Sequence, residues 1–240
     1  MDHAVDPAAA ITKPSGRKSL FHFTRVGNLP GIARFDALMS SYRIHPDNSG
    51  ERRLKPFNVD YGGEEGMPAI QMTINAHLRI PEKMMAPGTT LEAFRHCLDR
   101  HVFFWPTLAD CRKMIDTYAR REPEESFAVL KLDAQRLIAD HAGDVKLSKY
   151  DSGSAPRYPD RCSYRKSPDM FLPLDRFRKT TDGAVPGKAS EIHEILVQDR
   201  VTNVSGYLQA VYVDRAEYVP ELWRELARPL AELTIPAAKK

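Results

Sequence analysis

The sequence predicts a mixed α+β fold, and three observations carry that expectation. A chain of 240 residues with 42% hydrophobic and 28% charged residues can bury a sizeable core and has an ordinary globular composition. Short β-rich runs recur, such as "SLFHFT", "HVFFW", "SFAVLKLD" and "YLQAVYVD". Segments with apolar residues three and four apart follow threonine or asparagine caps, as in "TTLEAFRHCLD" and "TLADCRKMIDTYARR". We expect one domain over residues 19–235, behind a flexible lead-in of residues 1–18.

In order along the chain, "SLFHFT" is the first strand, and Asn28 caps a helix that carries Pro30 in its first turn and Ile32 and Phe35 on its apolar face. Residues 45–66 turn polar, with glycines, prolines and charges, and read as a long loop of the kind used for binding. Thr89 or Thr90 caps the next helix. "HVFFW" is a buried strand stopped by Pro106, and Thr107 caps a helix with Asp110 three residues on, a loose capping box. "SFAVLKLD", "AQRLIADH" and "DVKLS" follow as strand, helix and strand. Residues 149–168 form a second loop rich in Ser, Pro, Tyr and Arg. After it come "DMFLPL", the strand "EIHEILV", the strand "YLQAVYVD" and a terminal helix around "PELWRELARPLAEL".

Several function classes are set aside at this level. No apolar run is long enough to span a membrane, and the N-terminus lacks the basic-then-apolar layout of a secretory signal. Cys97, Cys111 and Cys162 form no paired framework, which favours a reducing cytoplasm. Cys97 and His101 are four apart, but no CxxC or HxxxH completes a tetrahedral zinc set, so no metal is expected. The net charge of +3 permits a nucleic-acid partner without demanding one.

Two polar residues sit inside apolar strands. In "EIHEILV", alternation puts Glu194 with Ile192 and Leu196, and His193 with Ile195 and Val197 on the other face. Both faces are mostly apolar, so the strand should be central and Glu194 should face a cleft or the core. Burying it unpaired would cost several kcal/mol or force it to take up a proton; a structural pairing with an arginine is the alternative. His22 in "SLFHFT" is similarly either a ligand-binding group or a satisfied core histidine.

Three segments together carry a family resemblance. "LFHFTRVGNLPGIARF", "LDRHVFFWPTLADCRKMI" and "HEILVQDRV" resemble, in this order, the opening strand and helix, the aromatic strand and helix, and the late glutamate strand of DarT-like ADP-ribosyltransferases. "VFFWP" is also similar to uncharacterised bacterial domains related to that group. The resemblance implies a split β-sheet core with flanking helices and NAD as co-substrate. It also implies transfer of ADP-ribose to a nucleic-acid base by a bacterial toxin or defence effector, with a neutralising antitoxin protein as partner. On it, Glu194 is the catalytic carboxylate, with His22, assisted by Thr24 and Asn28, binding NAD. Phe103 or Phe104 stacks on nicotinamide, with Phe104 preferred, and Arg79 is the essential arginine, with Arg52 and Arg53 as rivals. His22 and Glu194 should then line one cleft. Ile192 stands where protein-modifying relatives carry a second acid or a glutamine, which argues against arginine acceptors. The basic and aromatic residues of "LSKYDSGSAPRYPDRCSYRK" suit single-stranded DNA or RNA.

Overall fold

The computed structural model describes residues 6–48, 55–63, 67–75, 80–153, 159–180 and 182–234. The helices are α1 (Pro7–Thr12), α2 (Leu29–Phe35), α3 (Ser41–Ile44), α4 (Leu91–Asp99), α5 (Leu108–Arg121), α6 (Ala134–Asp140), α7 (Val204–Tyr207) and α8 (Ala231–Thr234). The strands are β1 (Ser19–Arg25), β2 (Ala37–Met39), β3 (Phe57–Tyr61), β4 (Ile70–Ile74), β5 (His101–Phe104) and β6 (Phe127–Asp133). They continue with β7 (Val145–Ser148), β8 (Phe171–Pro173), β9 (Glu194–Gln198), β10 (Arg200–Thr202), β11 (Leu208–Val213) and β12 (Ala227–Pro229). The fold is α+β, as the sequence predicts.

Two four-stranded sheets form the frame, ordered β1-β6-β11-β12 and β5-β9-β7-β8. They meet where Phe21 and Trp105 exchange backbone hydrogen bonds of 3.0 and 2.9 Å. β6 is interior to the first sheet, and its Phe127–Leu130 run is buried on both faces, as a central strand requires. β9 is interior to the second, between β5 and β7. One core joins the sheets, with Leu20, Leu130 and Leu132 from the first and Val102, Phe104, Ile195 and Val197 from the second. A second cluster packs Phe21, Phe23 and Trp105 against Cys111, Ile115 and Tyr118 of α5. A third sets Leu196 and Phe171 against Phe94 and Leu98 of α4.

The caps follow sequence logic. Thr90 accepts from Ala93 N at 3.0 Å, and Thr107 accepts from Asp110 N at 3.2 Å, each satisfying an amide at a helix start. In α2, Gly31 lets the helix lie on β4, where an added Cβ would collide with the Met72 sulfur.

Four sequence expectations are corrected. The lead-in contains α1, capped by Asp6, with Ala8, Ala10 and Ile11 buried in the main core. Its "PAAAIT" run joins proline in the first turn to strong helix formers with an apolar face. The polar stretch 45–66 contains β3, where Phe57, Val59 and Tyr61 alternate with Asn58 and Asp60 and pair with β4. The terminal helix is instead a 3₁₀ segment (Glu221–Leu226), then β12 parallel to β11, then α8. Pro229 lacks the amide and would clash with the preceding turn, so one helix cannot run through it. Finally, Asn28 makes no capping bond at α2; its side chain serves β4 instead. Among the described residues, no helix is long and apolar enough to cross a membrane.

Candidate functional site

β1 presents Leu20, His22 and Thr24 on the side of the main core, and Phe21 and Phe23 on the side of α5. His22 Nδ1 lies 2.9 Å from the Phe103 carbonyl of β5. A carbonyl only accepts, so Nδ1 is the donor, and in the neutral ring Nε2 is an acceptor. Burial lowers the imidazole pKa to about 4, opposed in part by that backbone bond, so the neutral ring prevails at physiological pH.

His22 lines a cavity of 130 Å³ together with Thr24, Asn28, Thr73, Asn75 and Phe103. Asn28 exchanges two hydrogen bonds with the Thr73 backbone, 2.7 Å to its Oδ1 and 3.0 Å from its Nδ2, and Nδ2 also donates to Thr24 Oγ1 at 3.3 Å. Asn28 therefore ties β1 to β4 and fixes the cavity wall. His101 lines the same cavity, with Nδ1 2.6 Å from the Cys97 carbonyl; burial lowers its pKa to about 4. Cys97 and His101 thus meet through a backbone carbonyl. Among the described residues no group of three or more metal-ligating side chains converges.

Glu194 opens β9 and is 2% exposed. Its Oε2 accepts from Ser152 N at 3.0 Å, so the Asp151–Ser152 turn covers the carboxyl. That turn is held from the other side by Lys166, fully buried, whose Nζ donates to the Asp151 and Ser152 carbonyls at 2.6 and 2.8 Å. Burial and the charge of Asp151 push the Glu194 pKa up to about 8, against the opposing effects of Ser152 and Lys166. The structural partner is thus a lysine-braced turn rather than the arginine considered from sequence.

Glu194 lines a cavity of 320 Å³ with Trp105, Asp110, Lys113, Lys149, Tyr150, Asp151, Ser190, Glu191 and His193. His193 Nδ1 is 3.1 Å from Asp110 Oδ1. The sequence reading missed this pair, taking Asp110 as a capping residue and placing His193 on the strand face opposite Glu194. β9 begins at Glu194, so strand alternation does not govern His193, and both side chains reach the cavity wall. The sequence signal was the polar pair His-Glu ahead of an apolar triplet. Arg17 was missed too: it is 8% exposed, and its guanidinium donates to the Ile192 carbonyl at 3.1 Å.

His22 and Glu194 line two different cavities, which have no lining residue in common among the described residues. Phe103 lines the His22 cavity and Trp105 the Glu194 cavity, two residues along, about 7 Å at strand rise. The preference for Phe104 is corrected. It is fully buried in the core between the sheets, its ring 5.6 Å from that of His22, while half-buried Phe103 reaches the cavity. Arg79, with its rivals Arg52 and Arg53, lies outside the described residues. In the 149–168 loop, Tyr150 and Tyr164 stack on each other at 3.8 Å and Lys166 is buried. Arg161 and Arg165 are exposed, and Arg157 lies outside the described residues.

The solved structures most similar to this chain include DarT of Thermus sp. 2.9 in complex with NAD⁺, 16% identical over 90% of this chain and 94% of that one, with a TM-score of 0.40. DarT of the same organism in complex with ADP-ribosylated single-stranded DNA is 15% identical over 89% and 92%, with a TM-score of 0.38. DarTG of Thermosipho africanus in complex with ADP-ribose is 12% identical over 90% of this chain and 50% of that one, with a TM-score of 0.40. Likeness at this level assigns neither an activity nor a residue. No curated protein matches the chain. The model of DUF7002, a family of unknown function, matches residues 18–208, from the start of β1 through the Glu194 strand to β11, and the chain belongs to that family.

Proposed function

We propose that this protein is an NAD-dependent mono-ADP-ribosyltransferase whose acceptor is a nucleic-acid base, acting as a bacterial toxin or defence effector. The observation that carries the reading is Glu194, a 2%-exposed carboxyl heading an interior strand on the wall of a 320 Å³ cavity. Carboxyls with pKa values raised by burial in a cleft cluster at sites of chemistry. The ordered motifs around His22, Phe103 and Glu194 support the same class.

In the reaction, the bond between ribose C1′ and the nicotinamide nitrogen breaks, and its electron pair leaves with nicotinamide. C1′ gains positive charge before the acceptor's lone pair bonds to it. Glu194 would hold a ribose hydroxyl and stabilise that charge. In the protein alone the carboxyl is largely protonated at neutral pH. The cationic nicotinamide ring beside it would draw it to the carboxylate, as an opposite charge within about 4–6 Å does. The neutral His22 Nε2, as an acceptor, suits a ribose hydroxyl. The dinucleotide would reach from one cavity to the other, which come near each other at Phe103 and Trp105.

For the acceptor, the support is Ile192, which leaves Glu194 without the second acid or glutamine of protein-modifying enzymes, and exposed Arg161 and Arg165 in the 149–168 loop. A neutralising partner protein belongs to the same reading. A second reading, a nucleotide-binding relative without turnover, is favoured by one observation: the Asp151–Ser152 turn covers the Glu194 carboxyl. Labelled NAD incubated with DNA, RNA and lysate protein separates these outcomes. Label on oligonucleotide supports the proposal, and label on protein alone rejects the acceptor. Neither label nor nicotinamide release from any mixture rejects the enzyme.

A further inference from the structure

We infer that His193 and Asp110 form a proton-accepting pair on the wall of the Glu194 cavity, with His193 taking the acceptor's proton and Asp110 orienting its ring. The inference rests on ADP-ribosyl transfer at that cavity, as proposed above.

The two residues come from the first turn of α5 and from the position just before β9, 83 residues apart, and meet at 3.1 Å. Asp110 is prepared for the role by its own donors. Thr107 Oγ1 donates to its carboxylate at 2.6 Å and Lys113 Nζ at 3.1 Å. Burial opposes its ionisation, yet the bonds from Thr107, Lys113 and His193 outweigh that cost and hold its pKa below the usual value. An ionised carboxylate only accepts, so His193 Nδ1 is the donor and the neutral ring keeps its lone pair on Nε2. An imidazole so oriented by a carboxylate is the arrangement of a general base.

Placement separates this pair from an ordinary ion pair between a helix and a strand. The acid end is buried, with an Asp110 side-chain exposure of 11%, while the imidazole end is open at 46%. Both line the cavity of Glu194. The peptide bond that leads into His193 is held at both its polar atoms, since the His193 N–H donates to the Ser148 carbonyl at 2.9 Å and Arg17 donates to the Ile192 carbonyl at 3.1 Å. Glu194 is poorly suited to the same task. A carboxylate engaged with the sugar's positive charge is a weakened base, and a protonated one is no base at all.

The step balances. Nicotinamide leaves C1′ with the bonding pair, the acceptor nitrogen or oxygen bonds to C1′, and its proton passes to His193 Nε2. The exposed ring edge then returns the proton to water, and Asp110 stays ionised throughout. Asp110 is accordingly a positioning residue.

The test uses full-length wild type, His193→Gln and Asp110→Asn with labelled NAD and a mixed-sequence DNA oligonucleotide, and lysate protein in parallel. Single-turnover transfer, calorimetric NAD binding and thermal melts are read on the same samples. His193→Gln should slow transfer about a hundredfold with NAD binding retained, in the range of general-base losses. Asp110→Asn should slow it at least tenfold and change its pH profile. Half-exposed His193 is replaceable without unfolding, and Asp110→Asn gives an independent second reading. Wild-type rates in both variants, even with lowered melting temperatures, would overturn the pair and leave ADP-ribosyl transfer standing. Loss of NAD binding in step with transfer would also overturn it. A wild type that neither transfers label nor releases nicotinamide overturns both.

Discussion

The cavities around His22 and around Glu194 each contain a titratable side chain on a strand, half-buried His22 and buried Glu194, and desolvation drives the two groups in opposite directions. The imidazole pKa falls to about 4 and the carboxyl pKa rises to about 8, so both are mainly neutral at pH 7. Desolvation penalises whichever form is charged, and this shared cause gives shifts of opposite sign. The surroundings differ more. His22 faces hydroxyls and amides from Thr24, Asn28, Thr73 and Asn75 in a small cavity. Glu194 faces Asp110, Asp151, Lys113 and Lys149 in a larger one. Neutral polar groups suit recognition of a ground-state ligand. Charged groups around a carboxyl that can change its protonation suit a reaction in which charge develops.

The sharpest way to break that contrast is Glu194→Gln. Transfer should fall about a hundredfold or more, about 3 kcal/mol in the barrier, with NAD binding nearly intact. Single-turnover rates beside thermal melts decide the matter: unchanged turnover would make Glu194 a strand anchor. His22→Ala should do the reverse, weakening NAD binding about tenfold, or about 1.4 kcal/mol, while the rate at saturating NAD stays within a few-fold. Calorimetric titration measures it, and equal loss in both variants would erase the distinction between the cavities.

The opposite shifts also predict opposite slopes of stability with pH. The Glu194 carboxyl, raised from 4.5 to about 8, binds its proton more tightly in the folded state. Its contribution is full below pH 4.5 and is lost as pH rises towards 8. His22, lowered from 6.5 to about 4, is protonated more readily in the unfolded chain, so its contribution grows as pH rises across that window. His101, also lowered to about 4, adds to the same rise. Chemical denaturation across pH 4–9 should therefore show Glu194→Gln flattening the decline above pH 6.5. His22→Ala should reduce the rise below that pH without abolishing it. The smallest effect concerns the acceptor: replacing Arg161 and Arg165 with alanine should lower the salt slope of oligonucleotide binding by about 1.4, two single-strand phosphate contacts' worth. An unchanged slope would remove this loop from the interface.

How much of the site could be read in sequence varied by residue. His22 and Glu194 stood out because a polar side chain in an apolar strand is a local anomaly, visible at period two. Thr107 and Thr90 were readable because a cap is defined within four residues. Asp110 had a local explanation as a capping-box residue, and that explanation hid its contact with His193. Arg17 fell within a segment whose polar composition resembled a lead-in, although "AAAI" just ahead of it held the signal of a buried helix. Between Phe103 and Phe104 the preference fell on the core residue, because alternation says that the two rings face opposite ways but not which face meets a cavity.

By itself, the sequence determined the α+β class, the β1 and β9 strands with their polar members, and the capped helices α4 and α5. These depend on periodicity and on hydrogen bonds between near neighbours. Only the tertiary structure decided which residues surround His22 and which surround Glu194, in cavities with different linings. It alone decided that Lys166 braces the turn over Glu194, and that Asp110 meets His193 across 83 residues. The physical reason is that burial and proximity belong to packed segments. A strand's period fixes which side chains share a face, but what covers that face is supplied by residues far away in the chain.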